Sequence, residues 1–382
     1  GSAGSFRPIT DPRPGFSVRT DKVKKQQEFR GVGKFQLNNF AQDGTMLHEQ
    51  IAGEMARKAF VPASRCTHAY LLMNGKVLGT YLLKEGFNDE FLKYFFKDTN
   101  GHLYDGGFVS EVNPNTECDR GNPNDKTRLL ELIGACNEPK PELRLPRLDK
   151  VLDIDAYFRY VFVESVLTHW DGYSFNRNNY RFYEDPTTGK FHFILHGMDQ
   201  TWGDPRWYVF RQPNAMVSNA LWSDKAMRER FRAQCFLVWE RAIRPVDWPR
   251  RAEQVAADAA ALVARIKELN AAMGRGDPEP IIKHTHPAIF PLAGSRQKFE
   301  EAVRASVKAF AGYRFEDFTV GEPSAPVRAG DQPGARPVNE LEAVRLLQLV
   351  AQLNAGIDPV AGELPDGATA LFAGAAADPQ SP

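Results

Sequence analysis

The sequence predicts an α+β fold in two lobes, a small β-rich lobe followed by a larger and mainly helical one. Three observations point to it. Short apolar runs with period-2 alternation and an Asn-Gly hairpin signal are gathered before Glu85, helical periodicity dominates from Lys126 onward, and one further hairpin signal near Asp185 interrupts the helices. The length of 382 residues, with 42% hydrophobic side chains, accommodates roughly two domains of ~100–200 residues or one unit with two lobes.

Each element follows from local chemistry. Phe16 to Asn39 reads as extended segments, with Phe35 and Leu37 alternating around polar neighbours and Lys34 as a strand residue. Asp43 is placed to cap a helix from about Thr45 to Phe60, whose Met46, Ile51, Met55 and Ala59 recur at helical spacing until Pro62 stops it. Thr67–Met73 and Lys76–Leu83 flank Asn74-Gly75, the strongest short hairpin signal, because both central residues of the favoured turn need positive φ. Beyond Glu85, a helix is predicted at 89–96, an extended pair at Leu103-Tyr104, and a loop over 111–125. Helices follow at 126–136 and 153–167, then two strands at 179–184 and 191–195, almost continuous helix from Asp224 to Met273, and a helix at 295–312. The expected organisation is a leader or vector-derived remnant over 1–15, an N-lobe over 16–85, a C-lobe over 86–320, and an Ala/Pro/Gly-rich tail over 321–382 with one helix at 339–354.

The chain carries 48 basic and 48 acidic side chains, a balance that argues against a general nucleic-acid binder, since such proteins carry a basic footprint. No run approaches the ~20 apolar residues of a bilayer span. Cys118 and Cys136 bracket a polar loop at a separation that a disulfide or two free thiols would suit equally; Cys66 and Cys235 show no metal-ligand spacing. His284-Thr285-His286 lacks acidic or cysteine partners at ligand spacing and reads as a surface loop or a phosphate-proximal lid, and Glu117–Asp125, which lacks the regular alternation of a calcium loop, reads as a turn-forming loop.

The chemistry concentrates in two stretches, His169–Tyr180 and His196–Gly203. His169-x-Asp171 with Asn176 five residues later has the spacing of a kinase catalytic loop, and a second acid, Asp199, follows after two short strands. Phosphoryl transfer from ATP needs such a set. One carboxylate orients the acceptor hydroxyl, an amide and a second carboxylate hold a divalent metal on the phosphates, and a lysine neutralises phosphate charge. Asp171, Asn176 or Asn179, Asp199 and Lys34 fill those places, with Glu49 or Glu54 available to orient the lysine. Their order along the chain is that of an atypical protein-kinase-like two-lobed fold.

The sequence also resembles the CotH kinase family, spore-coat-type atypical kinases. The resemblance is carried by Gly33-Lys34-Phe35-Gln36-Leu37-Asn38-Asn39, His48-Glu49-Gln50-Ile51-Ala52, Asn74-Gly75 through Glu85, Gly101-His102-Leu103-Tyr104, Asp171–Tyr183 and Phe191–Gly203, within a span of roughly Phe16 to Tyr313. It implies ATP- and Mg²⁺- or Mn²⁺-dependent phosphorylation, usually of Ser or Thr in secreted or surface proteins, hence a secreted or cell-envelope location. It assigns the lysine role to Lys34, the acid partner to Glu49, the metal-binding acid to Asp199, and the amide ligand to Asn179 where kinase spacing favours Asn176. Glu85, at the end of the second hairpin strand, falls where a kinase chain crosses between lobes and meets adenine. Many relatives carry W-D-x-D where this chain has Gly197 and Asp199, which concentrates the metal role on one carboxylate. Transfer of AMP on the same fold and a catalytically silent binding or structural module are the rival readings.

Overall fold

In the computed structural model, residues 7–20, 22, 32–73, 76–204, 206–284 and 295–309 are described. Alternating burial along the first strands builds an antiparallel sheet. Strands β1 (Phe16–Arg19) and β2 (Lys34–Asn38) precede helix α1 (His48–Lys58), and β3 (Cys66–Met73) and β4 (Lys76–Glu85) follow it, giving the order β1-β2-β4-β3. Phe35, Leu37, Leu71, Leu78 and Tyr81 fill one face. The pairing of Gln36 with Lys84 and of Cys66 with Lys84 sets Lys84 in the middle of three strands. Residues 74 and 75, the expected turn, lie outside the described residues, but the strands they join pair as expected. Asp43 accepts hydrogen bonds from the N–H groups of Thr45, Met46 and His48 at 2.9–3.0 Å; it shapes the turn before α1 and satisfies one orphan donor, that of His48, while the cap position itself falls on Leu47, which makes no side-chain bond.

Next come α2 (Asp89–Phe95), β5 (Leu103–Asp105), β6 (Glu117–Arg120), α3 (Thr127–Cys136), α4 (Pro141–Val151), α5 (Ile154–Val166), the single turn α6 (Tyr173–Asn176), β7 (Tyr180–Asp185) and β8 (Lys190–Leu195). A second antiparallel sheet has the order β6-β5-β7-β8. Two features depart from the sequence expectation. Part of the expected 111–125 loop forms β6, where Cys118 and Glu117 pair with Tyr104 and Asp105; tertiary pairing overrides turn-rich composition there. Helix α4 went unread because Pro141 and Pro146 suggest a break, yet Pro141 opens the helix, where its missing N–H costs nothing, and Pro146 is carried inside.

Helix α5 is buried almost all round, which places it at the centre of the core rather than on a surface. Asp153 caps it by accepting from the Ala156 N–H at 2.9 Å. Against it pack Tyr104, Tyr173, Tyr180, Phe182, Phe191 and Phe193 from the second sheet and α6. Each such ring contributes about 1.5–3 kcal/mol on burial, so this aromatic layer is a major source of stability and a stiff base for the loops above it. Helices α7 (Met216–Trp222), α8 (Lys225–Val238), α9 (Trp248–Arg275), α10 (Glu279–His284) and α11 (Arg296–Ala309) complete the chain, with a π-turn at Trp239–Ile243 where Pro245 interrupts the expected long helix. The four cysteines are free; Cys118 donates to the Arg120 carbonyl at 2.8 Å, and Cys136 is buried. The tail helix expected at 339–354, Thr285 and His286 lie outside the described residues. His284 pairs with Glu268 at 3.1 Å.

Candidate active site

A cleft of about 490 Å³ opens between the first sheet and the loops around β7 and β8. Phe16, Gln36 and Asn38 line one wall, and Asp171, Asn178 and Asn179 the other; Glu49, Lys84, His196 and Asp199 form its floor.

The floor is organised by Glu49. This first-turn residue of α1 is 3% exposed, and it accepts from Lys84 Nζ with both oxygens at 2.8 Å and from the Met198 N–H at 3.1 Å. One carboxylate therefore joins α1, β4 and the turn that bears Asp199. Burial alone would lower the Lys84 ammonium, but Glu49, helped by Cys66 and Asp199, holds it above the ordinary lysine range. The same burial pushes the Cys66 thiol up to about 12. His48 Nδ1 meets the Asp199 carbonyl at 3.0 Å, a second tie between α1 and this turn. Burial, then the Glu49 charge, raises the Asp199 carboxyl from 3.8 to about 6 against the opposing pull of Lys84. Next to it, burial and then Lys84 push the His196 imidazole well below its usual range, and its Nδ1 lies 3.4 Å from Lys84 Nζ.

The wall is organised by Asp171. Asn176 donates to Oδ1 at 2.6 Å, and Asn178 and Asn179 donate to Oδ2 at 3.0 and 2.8 Å. His169 is fully buried, and its Nε2–H donates to the His196 carbonyl at 3.0 Å, so the Asp171 turn is fastened to the strand leading to Asp199. Gly197 has φ +61°, and a Cβ there would lie 2.6 Å from the Asn179 carboxamide. Only glycine lets the two segments approach this closely.

Glu49, Asp171, Asn179 and Asp199 are thus brought to one cleft, and four other candidates are not. Lys34 occupies the outer end of β2, opposite Arg19, with its carbonyl accepting from Gly86; it does not line the cleft, and the lysine on Glu49 is Lys84. Both lysines sit on adjacent strands, and only the register, which sets Gln36 rather than Lys34 opposite Lys84, separates them. Glu85 turns to the other face of β4 and binds Arg65, whose Nε donates at 3.0 Å. Asn176 braces Asp171 from a neighbouring groove instead of lining the cleft. Glu54 pairs with Arg251 on α9 at 2.6 Å. Lys84, Asn178 and His196 were missed as site residues. A lysine closing the apolar run Tyr81-Leu82-Leu83 was the available signal for Lys84, since a buried ammonium requires an acid.

Among the described residues, no group of three or more His, Cys, Asp and Glu side chains is arranged to hold a metal ion by itself, and no helix is long and apolar enough to cross a membrane. A family model described as CotH kinase protein matches residues 6–270. The chain is 24% identical to Invasin CotH2 of Rhizopus delemar over 191 residues, 44% of this chain and 32% of that protein. It is 26% identical to Inner spore coat protein H of Bacillus subtilis over 191 residues, 46% of this chain and 51% of that protein. The matched regions cover between about a third and a half of the length of these relatives.

Proposed function

Because the chain belongs to the CotH kinase family, we propose that this cleft binds ATP with Mg²⁺ or Mn²⁺ and transfers the γ-phosphoryl group to a hydroxyl of a protein substrate. The observation that carries the reading is the Lys84–Glu49 pair, tied through Met198 to the turn bearing Asp199 and facing Asp171 across one cleft. The oxygens of Asp199 and Asn179 are hard donors that suit Mg²⁺ or Mn²⁺, which bind through one or two carboxylates and complete their shells with phosphate and water. A cation held there supplies charge neutralisation on the phosphate oxygens. Lys84 adds a fixed positive charge, and Glu49 keeps it from swinging away. Asp171 accepts the acceptor hydroxyl proton as the new O–P bond forms and the bond to the leaving ADP oxygen breaks. The names of the relatives, a spore coat protein and an invasin, favour a substrate and a location at the cell surface or envelope.

The test is a thermal shift of the whole chain with ATP and Mn²⁺, in wild type and Asp199→Ala. Saturation at one hundred times Kd stabilises the native state by about 2.7 kcal/mol, and Asp199→Ala should abolish the shift. An unchanged melting temperature in the wild type sinks the proposal. Mass spectrometry of the modified product separates an added phosphate from an added nucleotide.

A further inference from the structure

Outside the cleft, the one carboxyl with no exposed surface among the described residues is Glu164, on the inward face of α5. It is 0% exposed, Oε1 accepts from the Tyr160 hydroxyl at 2.7 Å and the Tyr173 N–H at 2.9 Å, and Oε2 accepts from the Ser174 N–H at 3.1 Å. Its backbone carbonyl accepts from the His169 N–H at 2.8 Å. The chain between His169 and Ser174, including Asp171, is therefore looped around one side chain. The fit has no slack, since a Cβ on Gly172 would lie 2.1 Å from Oε1. Thr168, a β-branched residue, is held at φ +50° at the start of the loop, a conformation that persists only where surrounding contacts over-determine it.

We infer that Glu164 is the positioning residue of Asp171, setting the acceptor-orienting carboxylate through the Tyr173 and Ser174 amides rather than by touching it. Those amides fix the turn α6, whose last residue, Asn176, donates to Asp171 Oδ1. Solvent cannot replace the buried acceptor, and a carboxamide in its place would set an N–H₂ against either a backbone N–H or the pair of donors on Oε1. Burial raises the carboxyl to about 7, against the lowering effect of the donors around it. The catalytic meaning of this placement rests on the proposed phosphoryl transfer; the placement itself does not.

Glu164→Gln is compared with wild type and with Tyr160→Phe, which keeps the ring and removes one of the donors. Hydrogen–deuterium exchange should rise at least tenfold in the segment 168–179 of Glu164→Gln, less in Tyr160→Phe, with α1 and β4 unchanged. ATP and Mn²⁺ should still raise the melting temperature of both variants, with apparent affinity within threefold of wild type. Phosphate incorporation into the chain itself or into casein should fall at least tenfold in Glu164→Gln through kcat, with KM for ATP held. Exchange unchanged over 168–179, or spread evenly over the molecule, overturns the inference, and so does a variant that turns over like wild type. If Glu164→Gln does not fold, Tyr160→Phe alone decides by the same exchange criterion. A wild type that transfers no phosphate removes the proposed function and leaves the exchange measurement to judge Glu164.

Discussion

Replacing Lys84 by methionine separates the two lysines on which the nucleotide reading turns. The Lys84 and Glu49 side chains are 3% and 4% exposed, so the substitution removes both 2.8 Å charge-assisted bonds and leaves Glu49 buried with the Met198 N–H as its remaining donor among the described residues. Breaking a buried pair by removing one partner costs about 3–5 kcal/mol. For a folded unit of this size that lowers the melting temperature by roughly 6–10 °C. Lys34→Ala, on the outer end of β2, should change stability by less than about 1 kcal/mol. The double substitution Lys84→Met with Glu49→Leu should regain most of the loss, because it leaves no unpaired charge inside. Urea and thermal unfolding supply the stabilities, and calorimetric titration with ATP and Mn²⁺ at low temperature supplies the binding, expected to fall at least tenfold in Lys84→Met and to be unaltered in Lys34→Ala. Equal losses in the two single variants, or none in Lys84→Met, would refute the assignment of the buried pair as the phosphate-facing charge.

Three further outcomes follow from the same site. Asp199, raised from 3.8 to about 6, is neutral below that value and cannot hold a cation, so binding of ATP with Mn²⁺ should strengthen as pH rises through about 6 and then level off. Without ligand the sign reverses. Between about 4 and 6 the folded protein holds a proton that the unfolded chain has lost, so the Asp199 contribution to stability falls as pH rises through that window, and Asp199→Asn should flatten the profile in denaturant titrations. Gly197→Ala forces a Cβ to within 2.6 Å of Asn179 at a φ of +61°; a loss of about 1 kcal/mol or more in stability and at least tenfold weaker ATP and Mn²⁺ binding by calorimetry are expected.

Much of the fold was legible because its signals are local. Asp153 announces α5 by capping chemistry and Asp43 marks the turn into α1, the strands either side of residues 74 and 75 are joined by the strongest hairpin dipeptide, and Asp185 builds the second turn by accepting from Thr187 N at 2.9 Å. Within the site, Asp171 and Asp199 were legible from spacing and order, whereas Glu49 was one of two helix acids, with Glu54, until the family resemblance favoured it. Lys34 was misplaced because which of two strand lysines meets an acid depends on sheet register, a non-local property. Asn176 and Asn179 looked interchangeable as ligands in sequence. The left-handed φ values of Arg177 and Asn179, +54° and +45°, fold the loop so that Asn179 faces the cleft and Asn176 does not. No periodicity encodes that bend. Strand β6 was hidden by its polar composition, and its pairing comes from a strand more than ten residues away.

The three amides around Asp171 also set a limit on what it can receive. An ionised carboxylate offers about four lone-pair directions. Two on Oδ2 are taken by Asn178 and Asn179, and one on Oδ1 by Asn176. A single direction is left, on the oxygen beside Asn176. A donor arriving there finds its approach vector dictated by the asparagines, so two hydroxyls on neighbouring carbons of a polyol cannot both be engaged. In the proposed phosphoryl transfer, the carboxylate acts as a one-port acceptor, selecting among hydroxyls by angle before any side-chain preference of the substrate is consulted.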